Sequence, residues 1–500
     1  MLHHHLVLAR EEMTVSMTDL DKKVLSIFPD ESIFKGPSIY SCFTGYNLPS
    51  FIKDWLLKRY SMANGKPDVE RIKGFLVKHI PSKDYDVKTR SLNHENVKVL
   101  TRVLIEADIK TNIYRFSIPD LGINFSEGRV SSILMREKDL LNSGENWGIA
   151  TLEYVAPDEF TKEKGYIEMT SFQSFKPYTP DLDYFRRARS SFTLDEWIDF
   201  LITCMEYNPN SEQFNSITRK LTFLTRLLVF VEPNLNMIEL APKGTGKSYV
   251  FNNLSKYGWH ISGGKVTRAK LFADMHGRLG IIPNYEFVSM DEIKTISFGS
   301  DSAEIVGGLK SYLEDGSITV GKSKQTSSCG MILLGNVDLN IHGLPENKIY
   351  FNELPEVFHD TALLVRFHGF IEGWKLPVMQ QDLIFSGYTL NVEYFSEILS
   401  LLRKEPQYIG IVENYLKVPN NADTRDKKAI IRMATAYVRL LFPHAKCKED
   451  ISPEDFYNYC FYPAYEKRKI VKQQLSYMDP QYAKGPLMPD IRVKGYNDFE

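Results

Sequence analysis

The sequence predicts an α/β fold built round a parallel sheet, with a helical segment and a β-rich domain before it and helices after it. Three observations carry that reading. The first is Ala241-Pro242-Lys243-Gly244-Thr245-Gly246-Lys247-Ser248, which follows the apolar run Met237-Ile238-Glu239-Leu240 and precedes Tyr249 to Leu254. Strand, glycine-rich turn, Lys-Ser and helix form a phosphate-binding loop, whose successive backbone N–H groups cradle an anion. The second is Glu286 to Met290, a mostly apolar strand that ends in Asp291-Glu292. The third is Met331-Ile332-Leu333-Leu334-Gly335, a buried-strand pattern ending at Asn336. Polar groups at successive strand ends suit a sheet that binds its ligand at the carboxyl edge.

Each group has a chemical reason to be there. Gly244, Thr245 and Gly246 shape the loop, Lys247 reaches the β- and γ-phosphates, and Ser248 ligates Mg²⁺. Asp291 completes the Mg²⁺ shell, and Glu292 polarises an attacking water. Asn336 hydrogen-bonds either the γ-phosphate or that water. The ligand implied is ATP with Mg²⁺. Ala241 holds the usual first glycine position, which works only where the turn there needs no positive φ. Without the loop, an Asp-Glu pair after a strand would read as a solvated turn, and Asn336 as a turn former.

The remaining elements follow in chain order. Residues 1–85 read as a helical segment, with helices over Leu20 to Phe28, Pro49 to Tyr60 and Val69 to His79. Residues 86–190 alternate at Val97 to Glu106, Trp147 to Val155 and Tyr166 to Phe175, which predicts half-buried strands in a β-rich DNA-binding domain. Tyr184-Phe185-Arg186-Arg187-Ala188-Arg189 sets cations beside aromatics, and reads either as nucleic-acid contact or as a solvated helix face. Thr193-Leu194-Asp195-Glu196 is a capping box before an apolar helix, and Phe214 to Val231 is a second helix feeding the loop strand. The core spans 191–375 and a helical lid 376–480. The proline-bearing residues 481–500 read as a tail.

Bulk properties exclude several classes. Five hundred residues exceed one ordinary domain, and 43% apolar content suffices for real cores. A net charge of −2 excludes a globally basic nucleic-acid binder but permits a local basic surface. Five cysteines without a Cys-x-x-Cys argue against a zinc ribbon or disulfide framework and fit a reducing cytoplasm. No apolar run reaches membrane-spanning length, and no signal-peptide anatomy opens the chain. His3-His4-His5 reads as incidental, and Met13 and Met17 leave the start open.

Two further groups complete the candidate site. Arg366, after the apolar run Ala362 to Val365, reads either as a finger for a neighbouring subunit's ATP or as a surface salt bridge. Arg425 and Arg432 lie seven residues apart, two turns along one helix face, where one of them can read nucleotide state or both can belong to a charged surface. Gly316 to Gln325 alternates as a β-hairpin carrying Lys322 and Lys324. In a ring such lysines would neutralise DNA phosphates, and on a surface they would only solubilise.

Taken together these stretches resemble an AAA+ ATPase, and more narrowly the BrxL family, the Lon-like component of BREX phage-defence systems. The resemblance rests on Val231-Glu232-Pro233-Asn234 leading to Glu239 through Tyr249, on Ile261 through Thr267, on Asp291-Glu292 and Gly335-Asn336, and on Asp360-Thr361-Ala362 through Arg366-Phe367-His368-Gly369 to Gly373-Trp374. It covers roughly residues 18 to 475, and the core is also similar to minichromosome maintenance helicases. Ile318 to Lys322 is similar to their pre-sensor hairpin with its DNA-touching lysine. Arg366-Phe367 and the Arg425/Arg432 pair are similar to their finger and second-sensor segments. The resemblance implies a homo-hexamer, single or stacked as a double ring, that encircles duplex DNA by backbone contacts and works with other defence proteins.

Two departures stand out. Ala241 replaces the first loop glycine, and Val365 replaces a polar residue before the finger. Fuller family members continue into a Lon-protease-like domain, whereas this sequence stops at Glu500. Proteolysis is therefore not expected of it. The alternatives are an ATP-gated scaffold that recruits partners on DNA, and a protein unfoldase. The unfoldase would need an aromatic pore loop rather than Lys322 and Lys324.

Overall fold

The computed structural model describes residues 17–46, 48–62, 67–80, 87–93, 95–108, 112–134, 145–158, 164–174, 180–274, 277, 279–299, 302–320 and 323–496. Contacts divide the chain into two compact units. One comprises Met1–Ser38, Pro49–Asp54 and Pro180–Glu500, and the other Ile39–Leu48 and Trp55–Thr179.

Helix Asp19–Ile27 opens the described chain on a capping box between Thr18 and Asp21. Strand β1 (Ser32–Lys35) comes next, where the sequence reading had only helices. Helices Ser50–Arg59 and Val69–His79 lie where the apolar spacing predicts them. Asp68 caps the second by accepting from the Arg71 N–H.

The smaller unit contains a closed barrel of β2 (Val97–Asp108), β3 (Ile113–Ile118), β4 (Ile123–Val130), β5 (Glu145–Val155) and β6 (Tyr166–Ser174). Around the barrel the order is β2-β3-β4-β6-β5. β4 and β6 run parallel, and every other pair is antiparallel. This is the connectivity of an oligonucleotide/oligosaccharide-binding barrel. Closure removes sheet edges, and the alternation seen in the sequence places Val97, Val99, Val103, Phe116, Ile118, Leu152 and Met169 in one apolar core.

The larger unit is built on a five-stranded parallel sheet. Its strands are β7 (Asn236–Ala241), β8 (Gly258–Lys265), β9 (Phe287–Ser297), β12 (Gly330–Asn336) and β13 (Gly369–Glu372). The antiparallel hairpin β10 (Ser317–Val320) and β11 (Ser323–Thr326) lies between β9 and β12 in the chain. The spatial order is β13-β7-β12-β9-β8. β7 is buried throughout, and β12 is buried up to Asn336, as strands covered on both faces must be. The edge strand β8 is half exposed. Helices Ser302–Asp315 and Tyr462–Met478 contribute Leu309, Leu313, Val471 and Leu475 to the apolar core of this sheet.

Several segments differ from the sequence reading. The single helix expected over Phe214 to Val231 is broken into Ile217–Leu224, a 3-10 turn and Leu228–Val231. Strand β14 (Gly387–Leu390) returns to pair with β1, with Ser32 opposite Leu390. After it, helices Val392–Lys404, Gln407–Tyr415, Thr424–Leu441 and Tyr462–Met478 fill the region expected to be helical. Residues 480–496 are docked rather than a tail, because Arg492–Val493 pairs with Leu416–Lys417 and buries Ile491 and Val493. Among the described residues, no helix is long and apolar enough to cross a membrane.

Candidate nucleotide site

Strand β7 delivers the chain directly into the glycine-rich turn. Gly244 and Gly246 hold φ of 82° and 70°, the left-handed region that side chains resist. Gly246 also has no room, since a Cβ there would lie 1.8 Å from the Tyr207 hydroxyl. Ala241 fits its position because Gly373 faces it: a Cβ on Gly373 would stand 2.2 Å from that of Ala241. Helix Lys247–Asn253 then starts from Gly246.

The turn is held from behind. Arg226 and Glu239 form a bidentate pair with no exposed surface, at 3.0 and 2.5 Å. A further Arg226 N–H donates to the Thr245 carbonyl at 2.9 Å. Each charge is thus neutralised where burial of a lone ion would be costly. From another side, the Met379 N–H donates to the Gly244 carbonyl at 2.7 Å. The Gln213 side-chain amide grips Val378 at both its N–H and its carbonyl, at 2.9 and 3.0 Å. This strap leaves Val378, Met379 and Ile384 exposed as large apolar side chains.

The groups that the sequence set at three strand ends are drawn together. Asn336 is in register with Ala241, and Lys247 Nζ donates to Asn336 Oδ1 at 2.6 Å. Burial lowers the Lys247 pKa, while Glu239, Asp291 and Glu292 oppose that shift. Both carboxylates therefore lie within electrostatic reach of the ammonium. Asp291 is buried and accepts the Glu292 N–H at 2.7 Å.

The strand expected to end at Asp291-Glu292 does not end there. β9 continues to Ser297, and Glu292 takes φ 48°. The left-handed residue coincides with a register shift against β8 between Ser262 and Gly264. It separates the two carboxylates, leaving Asp291 buried and Glu292 in solvent. Such a conformation costs a non-glycine residue about 1–2 kcal/mol, strain of the kind that collects at functional sites.

Histidine 260, which the sequence did not flag, stands beside this pair. Its Nε2 is 3.8 Å from Asp291 Oδ2, and its Nδ1 bonds Ser289 Oγ at 2.8 Å. Burial lowers its pKa below the ordinary 6.5, against the pull of Asp291. The imidazole thus stands beside the buried Asp291 carboxylate.

The donor set suits Mg²⁺ carried by a nucleotide. Among the described residues, no group of three His, Cys, Asp or Glu could hold a metal alone. Mg²⁺ needs only one or two protein ligands when phosphates and waters supply the rest. Ser248, exposed at the helix start, and the buried Asp291 are the two side chains that could supply them.

The outlying candidates form a different cluster. Arg366 Nε lies 2.8 Å from Glu314 Oε2, and Arg425 Nε lies 3.2 Å from the same oxygen. Arg432 instead bonds the Pro233 carbonyl and stands 3.7 Å from Glu232. The two helix arginines therefore serve separate places. Lys324 is 70% exposed on the hairpin, 3.9 Å from Asp315, and Lys322 lies outside the described residues. His368, next to Arg366-Phe367, is a hydrogen-bonding residue, its Nδ1 accepting from the Asn236 N–H at 2.9 Å.

The basic stretch Tyr184 to Arg189 is structural in part. Arg189 is buried on the Leu441 and Phe192 carbonyls, and Arg186 bonds Glu405, Asp183 and Pro443. Only Arg187 of the three is mainly solvated. The clamp residues Tyr207, Gln213 and Arg226 escaped sequence reasoning. Glu239 was their one visible trace, a charge inside an otherwise apolar strand.

Two known protein families match the chain. The family described as "Lon-like protease BrxL-like, ATPase domain" matches residues 167–486. The family "BREX system Lon protease-like protein BrxL N-terminal" matches residues 26–154. The chain is 29% identical over 444 residues to the "Lon-like protease BrxL" of Escherichia coli O9:H4 (strain HS), covering 86% of this chain and 61% of that protein. It is 29% identical over 441 residues to the protein of the same name from Bacillus cereus (strain H3081.97), covering 86% and 63%. The chain thus spans about three-fifths of the length of these curated relatives. With its parallel sheet, phosphate-binding turn and family match over most of its length, the chain belongs to the BrxL family of Lon-like ATPases.

Proposed function

We propose that this chain is a DNA-associated ATPase that assembles into rings and acts in phage defence of the BREX type. The observation that carries the reading is the Lys247–Asn336 contact at 2.6 Å, with the field of Asp291 and Glu292 acting on the same ammonium. Phosphoryl transfer to water asks the protein mainly for positioning and charge neutralisation. The backbone N–H groups of 244–248 bind the phosphates, and Lys247 releases Asn336 to reach the β- and γ-oxygens. Ser248 and Asp291 would hold Mg²⁺, which would supply charge neutralisation at the phosphates. Asn336, once released, orients the γ-phosphate or the water, and Glu292 accepts the water's proton. The apolar strap of Val378 and Met379 gives the base a surface beside Gly244.

DNA association rests on two features. One is a closed barrel of the oligonucleotide-binding type, and the other a hairpin that presents Lys324 to solvent. Arg366 acts on the nucleotide of a neighbouring copy, which makes assembly a condition of activity. Partners are duplex DNA, further copies of the chain and other defence proteins.

The decisive variant is Glu292→Gln. It keeps shape and removes the base, so ATP binding measured by a fluorescent analogue stays within about twofold while turnover falls by about 10²-fold or more. Turnover at the parent rate would sink the assignment of Glu292.

A further inference from the structure

Arg366 and Arg425 come from distant parts of the chain and meet on one oxygen. Arg366 follows the short helix Thr361–Leu364, and Arg425 opens helix Thr424–Leu441. Glu314 is the penultimate residue of helix Ser302–Asp315. One carboxylate oxygen lies against two guanidinium groups. Asp423 and Asp479 add negative charge near the cluster, but their oxygens take other donors. Asp423 caps its helix through the Arg425 and Asp426 N–H groups, and Asp479 accepts from Thr361 and the Gln481 N–H. Tyr482 completes the cluster, its hydroxyl within the field of both arginines. Arg425 and Glu314 are part exposed, at 41% and 34%, whereas Arg366 is largely covered at 16%, with its Nε buried.

We propose that Glu314 is a stand-in anion. It holds Arg366 and Arg425 side by side until the terminal phosphate of a nucleoside triphosphate, bound on a second copy of this chain, takes its place. The inference rests on the shared-site reading given above. Guanidinium groups pair with carboxylate and phosphate through the same planar fork, and a phosphate offers more oxygens and more charge. Glu314 therefore competes with the incoming phosphate and sets a threshold. A triphosphate displaces it, and a diphosphate, lacking the terminal group, does not. A ligand shifts such an equilibrium only by its differential affinity for the two states, and Glu314 supplies the difference.

The test is assembly, measured by sedimentation velocity across protein concentrations with ATP, a non-hydrolysable ATP analogue, or ADP. Glu314→Gln keeps the size of the side chain and removes its charge. It should lower the concentration for half-assembly by about fivefold or more, the lower range of such couplings, and should let ADP support assembly. Arg366→Ala and Arg425→Ala should each raise that concentration. An unchanged or higher half-point for Glu314→Gln, with the arginine variants still impaired, would overturn the stand-in role and leave the shared site intact. Arginine variants that assemble and turn over like the parent would overturn the shared site and the stand-in together. Thermal melting of Glu314→Gln guards against a folding defect, and the half-exposed position tolerates the change.

Discussion

Histidine 368 shows how one buried residue links packing to acid sensitivity. Its ring accepts a backbone N–H beside β7, which only an unprotonated nitrogen can do. Burial, then the fields of Arg432 and Arg468, press its pKa well below the ordinary 6.5. Below that pH the unfolded chain binds a proton that the fold refuses. The stability due to this residue is therefore complete above 6.5 and declines as pH falls toward the folded value. Between pH 7 and pH 5 the melting temperature of the parent should fall more steeply than that of His368→Gln. Glutamine can still accept the Asn236 N–H but does not titrate. Parallel curves would show that His368 contributes nothing to acid loss. Asp291 and Glu292 make the complementary point, since neighbours in sequence are set in opposite surroundings by one left-handed backbone residue.

The phosphate-binding turn is where elements constrain one another. Gly246→Ala meets the Tyr207 hydroxyl and a positive φ at once. Binding of an ATP analogue should weaken by at least about tenfold, which corresponds to roughly 1.4 kcal/mol. Adding Tyr207→Phe removes the nearest atom and should restore part of that loss, the backbone strain accounting for the remainder. No recovery would mean that the tyrosine does not limit the turn. A second coupling lies deeper. Lys35 on β1 is buried between Asp54 and Glu206, at 2.8 and 2.7 Å, and Glu206 also accepts from Tyr249 on the loop helix. Burial alone would depress the Lys35 pKa, but the two carboxylates hold it above its ordinary 10.5. Lys35→Met strands the buried Asp54 and the partly buried Glu206 and should cost about 3–5 kcal/mol, measured by denaturant unfolding. These contacts mark the limit of sequence reading. The sheet strands were legible because β7 and β12 are buried on both faces and read as continuous apolar runs. The turn was legible because Gly244 and Gly246 have no substitute. Lys35, Gln213 and Arg226 were not, because their partners lie far away in sequence and no local period marks such a pairing. The docking of residues 480–496 was missed for the same reason, as it depends on a two-residue pairing with Leu416–Lys417.

At the scale of the whole molecule, the net charge of −2 on 500 residues gives no general attraction to DNA. Any affinity must come from local groups such as Lys324, and it should fall steeply with salt. On the proposed shared-site reading, the cluster of Arg366, Arg425 and Glu314 would make activity depend on assembly. Arg366 makes its ion pair with Glu314, in the same cluster as Arg425, rather than with the Lys247 group. If the arginine completes a neighbour's site, the ATPase rate per subunit must rise with protein concentration and level off once rings are full. An arginine finger contributes about 10³–10⁵ in turnover, so Arg366→Ala should remain near background at every concentration. Duplex DNA, if it threads or templates the ring, should move the rise to lower concentration for the parent and leave Arg366→Ala unchanged. A rate independent of concentration, DNA and Arg366 would make each chain a complete catalyst. The chain would then act as a nucleotide switch whose target is another protein, with the Glu314 cluster as an ordinary surface ion pair.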